Sequence, residues 1–256
     1  MQLHAQHDSR SALRGRLAKL GLTGRQRSRG GVAALEFALI APVLVTVCAG
    51  LYDLTTAFLA WQRVNMAALA IAQITTYQAA NSNNTNMNIL NLAEAHTGAS
   101  AIYAYLPNTL SPSPPGFGVT ISAIAMVPTP SGCTLNCTYT AHVAWSGIFQ
   151  GSGSLRPCDA RSGVSALNFV PDGSNPTPNT LPTDLQSSGQ PLLVVDVNYT
   201  FQPLFFTFIT GKIMMMGSAY FPPRTGLPSD WVQYYSAGSS DPTIQCSGYP
   251  WSTINP

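Results

Sequence analysis

The chain has 256 residues, of which only 9% are charged, and its formal net charge is +2. The length admits one ordinary domain plus an anchor and excludes two large domains. A charged fraction so far below the roughly 25% usual in soluble domains leaves two options, a chain partly in a membrane or a surface built from Ser, Thr, Asn and Gly, and both hold here.

The net charge conceals an asymmetry. Residues 1–31 carry seven bases (Arg10, Arg14, Arg16, Lys19, Arg25, Arg27, Arg29) against one acid, Asp8. The rest carries five bases and nine acids, so a segment of +6 precedes one of −4. A basic leader suits nucleic acid, or is simply a solvated tail. The apolar run directly after it favours a cytoplasmic membrane flank, and no nucleic-acid partner is expected.

From Phe37 to Tyr52 the sequence FALIAPVLVTVCAGLY has no charge, with Glu36 before it and Asp53 after it. Apolar residues resume at Leu54 and reach Trp61, so residues 32–61 have the length of a transmembrane helix. The arginines ahead of the span place the N-terminus in the cytoplasm and the C-terminal domain outside it. The apolar run exceeds a secretory signal's core, so an anchor is expected rather than a removed signal. Pro42 lacks a backbone donor and is expected to kink the span, and Asp53 is expected to snorkel to the interface.

Past the span, Trp61, Val64, Ala68, Ile71 and Ile74 recur at helical spacing. No Gly or Pro lies between Leu51 and Ala80, so the helix is expected to continue to about residue 80 as an amphipathic stalk that packs on the domain. Residues 62–106 form the stalk region. It includes the polar break NSNNTNMN (Asn81 to Asn88) and a shorter helix from about Met87 to Leu106 carrying Leu90, Leu92, Ala95, Ile102 and Leu106. Pro107 and SPSPPG end it.

Residues 107–256 read as β-rich. Val119–Val127, the alternation of Tyr139, Ala141, Val143 and Trp145, and that of Leu193, Val195, Val197, Tyr199 and Phe201 all have period two. Ile213–Phe221 adds a fourth strand. Two hairpins, 119–127 with 138–145 and 193–201 with 213–221, would make an antiparallel sheet on the long helix, an α+β fold. The Gly-, Ser- and Pro-rich connector 146–190 is long enough to be partly mobile or functional. PLFFTFIT (Pro203 to Thr210) is too short to span a bilayer and is expected to pack over the sheet edge, with an exposed binding tip as the alternative.

Of the five cysteines, Cys48 lies in the span and reads as a small apolar side chain. Cys133, Cys137, Cys158 and Cys246 lie outside it, and in an oxidising compartment they suggest two disulfides among three possible connectivities. The favoured pairing joins Cys133 or Cys137 to Cys158 and the other to Cys246. Cys133 and Cys137 have a tolerable metal-ligand spacing, but no second pair accompanies them, and no metal is expected. His96 and His142 are the only histidines after the leader, one in a helix and one in a strand. Asp159, Asp172 and Asp196 show no paired partner, and Asp196 is read as an outward-facing strand residue. No catalytic motif is present, and neither an enzyme nor a cofactor is expected.

The junction RSRGG-VAALEF carries more information. Gly31 is followed five residues later by Glu36 at the edge of the apolar run. This resembles a type IV prepilin processing site, with a cut between Gly31 and Val32. Glycine lets a peptidase draw in an extended backbone, and Glu36 is costly near hydrocarbon unless paired, as with the new amine of Val32. Arg29, Gly30, Glu36, Phe37, Pro42, Gly50 and Asp53, taken in order over residues 28–75, resemble the TadE-like family. That resemblance implies a minor, pilin-like protein of the tight-adherence, Flp-type pilus system. Its implied partners are membrane lipid, other pilins or assembly-platform proteins, and a prepilin peptidase. Its implied location is the bacterial inner membrane, single-pass, with the C-terminal domain periplasmic or carried into a surface fibre. Glu36, Phe37, Pro42, Gly50 and Asp53 would serve membrane-helix packing. The alternative is a permanently anchored receptor or adhesin.

Overall fold

The computed structural model describes residues 27–81, 89–106, 116–133, 135–158, 167–171, 177–224, 231–236, 238 and 240–253. Most of the basic leader, Asp159, Asp172 and the SPSPPG run apart from Gly116 lie outside the described residues. The chain divides into two units, Met1–Tyr52 and Asp53–Pro256.

Helix α1 (Arg27–Asn81) contributes to both units. It contains Pro42, and Thr46 Oγ1 donates to the Pro42 carbonyl at 2.8 Å. In the second unit its buried face comprises Val64, Ala67, Ala68, Ile71, Ala72, Thr75, Thr76 and Ala79. This stripe keeps the helical period of the sequence but is rotated from the expected one, because Trp61 and Ile74 stand 49% and 38% exposed. Small residues at 67, 68, 72 and 79 let the helix lie close to its neighbours. Thr75 and Thr76 satisfy their buried hydroxyls on the carbonyls of Ile71 and Ala72 within the same helix.

The expected single helix from about Met87 is broken into shorter pieces. β1 (Ile89–Asn91) pairs parallel with β8 (Gln233–Tyr235), and α2 (Leu92–Ala99) and α3 (Ile102–Tyr105) come next in the chain after β1. The reason is a capping box: Asn91 Oδ1 accepts from the Glu94 amide at 2.8 Å, and Glu94 Oε2 accepts from the Asn91 amide at 3.0 Å. The cap fixes the helix start at Leu92 and leaves residues 89–91 free to pair. α2 approaches α1 so closely that a Cβ on Gly98 would stand 2.5 Å from Thr75 Oγ1.

β2 (Phe117–Thr129) and β3 (Thr138–Gly151) form one antiparallel hairpin, and β6 (Leu192–Phe201) and β7 (Ile213–Phe221) form the other. β2 pairs antiparallel with β6, and β9 (Thr243–Gln245) adds to β3, so the five-stranded order is β7-β6-β2-β3-β9. The fold is therefore α+β, with the long apolar helix followed by an antiparallel sheet built from the two expected hairpins.

One sheet face meets α1 and α2. Val119, Ile121, Leu193, Val195 and Val197 share a core cluster with Val64, Ile71 and Ala95. Trp145 joins it and donates its indole N–H to the Val232 carbonyl at 2.7 Å. The other face is buried too. Ile124, Val143, Leu192 and Val194 pack with Leu167 and Leu181 from the connector, where β4 (Asn168–Val170) and β5 (Thr180–Pro182) pair parallel, with a 3-10 turn (Thr183–Ser187) after β5. The described part of the connector is thus a second layer over the sheet.

The disulfides are Cys133–Cys137 and Cys158–Cys246, which corrects the favoured pairing. Cys133 and Cys137 flank the turn joining β2 to β3, which brings their Cα atoms within 5.7 Å. Cys246 directly follows β9, and its amide donates to the Ala144 carbonyl of β3, leaving Cys158 of the covering layer as its partner. The two bridges differ in reach, with sequence separations of 4 and 88. Replacing Cys158 and Cys246 by Ser is expected to cost about 4 kcal/mol, and replacing Cys133 and Cys137 about half of that. Urea unfolding of the detergent-solubilised chain, monitored by tryptophan fluorescence, measures both.

Candidate functional site

No described part of the protein covers the apolar helix segment that precedes the sheet domain. Phe37, Leu39 and Val45 are 72%, 72% and 66% exposed, and exposure of large apolar side chains continues to Leu51. Isolated exposed leucines need no explanation, but a contiguous apolar surface of this extent marks a membrane or partner contact. Residues 31–80 form the one helix among the described residues that is long and apolar enough to cross a membrane, and none of its most apolar stretch is buried.

The residues expected to act here are distributed along α1. Gly31, Val32, Glu36, Phe37, Pro42 and Gly50 belong to the first unit and Asp53 to the second. The Gly31–Val32 bond lies inside the helix, not in an extended segment. A Cβ on Gly31 would meet nothing within 4 Å, so its surroundings are open. Glu36 and Cys48 are exposed on the helix surface.

Asp53 behaves otherwise than expected. It is only 7% exposed. Its Oδ1 accepts from the Leu204 amide at 3.0 Å, and its Oδ2 accepts from those of Phe205 and Phe206 at 3.0 and 2.9 Å. Three convergent N–H groups replace the water that a carboxylate otherwise requires. The side chain is therefore a clamp on the β6–β7 connection and does not snorkel. That connection does not pack over the sheet edge either. Leu204, Phe205 and Ile209 are 69%, 50% and 66% exposed around the single helical turn α4 (Thr207–Thr210).

Asp196 is the second acid whose place differs from the sequence expectation. It is buried and forms a two-pronged ion pair with Arg156, Nε to Oδ2 at 2.7 Å and Nη2 to Oδ1 at 2.8 Å. Ser218 Oγ also donates to Asp196, while Arg156 Nη1 donates to the carbonyls of Pro178 and Thr180. Burial pulls the Arg156 guanidinium down, but the charge and hydrogen bonds of Asp196 more than offset this, and its pKa ends above the ordinary value. Burial pushes the nearby Tyr220 phenol up. Asp196 faces inward because the connector covers the sheet face to which Thr120, Ser122 and Val194 also point. Sequence reasoning gives Arg156 no role. Its one sequence signal is scarcity, since residues after the leader hold only five bases.

These polar groups hold the domain together and present no open reaction centre. Among the described residues no group of three or more His, Cys, Asp or Glu is placed to hold a metal ion. Among the described residues, the apolar helix and the clamped loop both expose large apolar side chains.

Comparison with known families agrees with the helix. Residues 31–73 match the family model described as TadE-like protein, the family that the sequence resembles over the same stretch. No curated protein and no solved structure matches the chain.

Both buried acids have measurable consequences. Arg156→Met leaves Asp196 charged and without its main partner, which is expected to cost about 3–5 kcal/mol. The pair Arg156→Met with Asp196→Leu is expected to recover much of that loss in the same urea titration. Asp53→Ala releases three backbone donors, and chymotrypsin is then expected to cut at Phe205 or Phe206 several-fold faster, with the sheet domain otherwise intact by mass spectrometry.

Proposed function

We propose that this chain is a minor, pilin-like membrane protein that takes part in assembly of a tight-adherence, Flp-type pilus or secretion apparatus. The observation that carries the reading is the uncovered apolar helix coinciding with the TadE-like match at residues 31–73. In this reading α1 anchors the chain by a single pass. The seven bases of residues 1–31 hold that end in the cytoplasm, and the sheet domain stands in the periplasm, where its two disulfides are stable.

The role is contact, not catalysis. Helix packing in the bilayer would join α1 to other pilins or to the assembly platform. Pro42 and Gly50 remove side-chain bulk or backbone donors at positions where a neighbouring helix can approach. A prepilin peptidase would cut between Gly31 and Val32, and Glu36 would then pair with the new amine of Val32 in the same or an adjacent subunit. Because Gly31 is helical, the peptidase must unwind the first turns of α1 before cutting. Glycine has the lowest helix propensity after proline, which lowers that barrier.

N-terminal sequencing of the membrane-extracted chain tests the proposal. Coexpression with a prepilin peptidase is expected to yield a chain starting at Val32, and Gly31→Leu is expected to block the cut. An intact leader in the presence of active peptidase would favour a permanently anchored receptor or adhesin.

A further inference from the structure

The geometry points to a second membrane contact: the β6–β7 connection with the first two residues of β7, residues 203–214, is a foot that seats in the outer leaflet beside the emerging helix. This rests on the reading of α1 as a membrane span and goes beyond it, since the foot lies 151 residues further along the chain than the acid that holds it.

Three observations converge. The first is position. The charge-free run from Phe37 to Tyr52 ends immediately before Asp53, within the about 20 apolar helical residues, roughly 30 Å, that a bilayer core takes. In the membrane reading Asp53 is then the first charged residue toward the outer boundary. Its carboxylate binds the amides of Leu204, Phe205 and Phe206, so the loop is tied at that depth.

The second is the apolar surface of the loop. Leu204, Phe205, Ile209 and Met214 are all at least half exposed. On the helix just after Asp53, Leu54 and Phe58 are exposed as well. Between Asp196 and Asp230 the sequence has no acid, only Lys212 and Arg224. Lys212, exposed at the foot of β7, suits lipid phosphate.

The third is that the backbone of the loop is prepared for a medium without water. Besides the three amides taken by Asp53, those of Ile209 and Thr210 donate to the Phe206 carbonyl, and that of Gly211 donates to the Thr207 carbonyl. The hydroxyls of Thr207 and Thr210 bond the carbonyls of Pro203 and Phe206. A loop entering lipid must satisfy its backbone donors internally, and these bonds do so for six amides of the loop. Asp53 itself is a carboxylate at a membrane boundary that has exchanged its water for fixed donors.

The test places a nitroxide label on the full chain in nanodiscs of equimolar phosphatidylcholine and phosphatidylglycerol. Collisions with oxygen, which concentrates in lipid, are compared with those of a water-soluble nickel chelate. Native Cys48 is the one free thiol and reports on the span. Leu204→Cys and Ile209→Cys, each with Cys48→Ser, report on the foot at exposed positions. Ala93→Cys with Cys48→Ser reports on water. Ala93 lies on α2, which packs at Thr75, about 33 Å along α1 from Asp53.

Labels at 204 and 209 are expected to show an oxygen-to-nickel collision ratio several-fold above that at 93 and close to that at Cys48. If they match 93 while Cys48 reports lipid, the foot stands in water and the proposal is overturned with the span intact. If they are shielded from both reagents and show spin–spin broadening that dilution with unlabelled chain removes, a second copy covers the loop and the proposal is again overturned. If Cys48 itself reports water, the span reading fails and takes the foot with it.

Discussion

An α-helix that crosses from lipid to a folded domain has to satisfy two solvents with one periodicity. In lipid every face must be apolar and every backbone group paired within the helix. Against a sheet only one stripe is apolar, and close approach favours small residues. α1 carries both patterns in turn. Residues 32–52 are apolar on all sides, apart from Glu36. From Val64 to Ala79 the buried positions narrow to a stripe of Val, Ala, Ile and Thr. Asp53 marks the change, and it is the point where a charge must either reach water or find fixed donors.

The sheet domain illustrates how a chain with few charges builds a stable interior. Both faces of the five-stranded sheet are covered, one by α1 and α2 and the other by the connector. Burying both faces places Asp196 in the interior, where an unpaired carboxylate would be intolerable. Arg156 answers it with two hydrogen bonds and directs Nη1 to carbonyls of the covering layer. The same pair therefore ties the connector to the sheet, and the Cys158–Cys246 bridge adds a covalent tie between the same two layers.

How much of the molecule is legible in the residues alone depends on the range of the interaction concerned. Periodicity is local, so the long helix, the four main strands and both hairpins are legible, as is the resemblance of residues 28–75 to a known family. The burial of Asp53 and Asp196 is not, because their partners lie 151 and 40 residues away, and alternation along one strand does not reveal whether a later segment covers its outer face. The cysteine pairing escapes for a similar reason, since it depends on β9 docking against β3. Residues 89–91 read as helix because they lead straight into the helical spacing of Leu92, Ala95, Ile102 and Leu106, although the Asn91–Glu94 cap that starts the helix at Leu92 is itself a local signal.

The clamp on Asp53 also has a dimension in time. The chain is made from its N-terminus, so the acid at the end of the apolar run emerges long before Leu204, Phe205 and Phe206 exist. Throughout that interval the carboxylate has none of the three amide donors that later enclose it. The end of the apolar run thus reaches its final bonding only when the last hairpin closes, which makes a truncated product chemically distinct from a finished one at the site where the helix leaves the apolar segment.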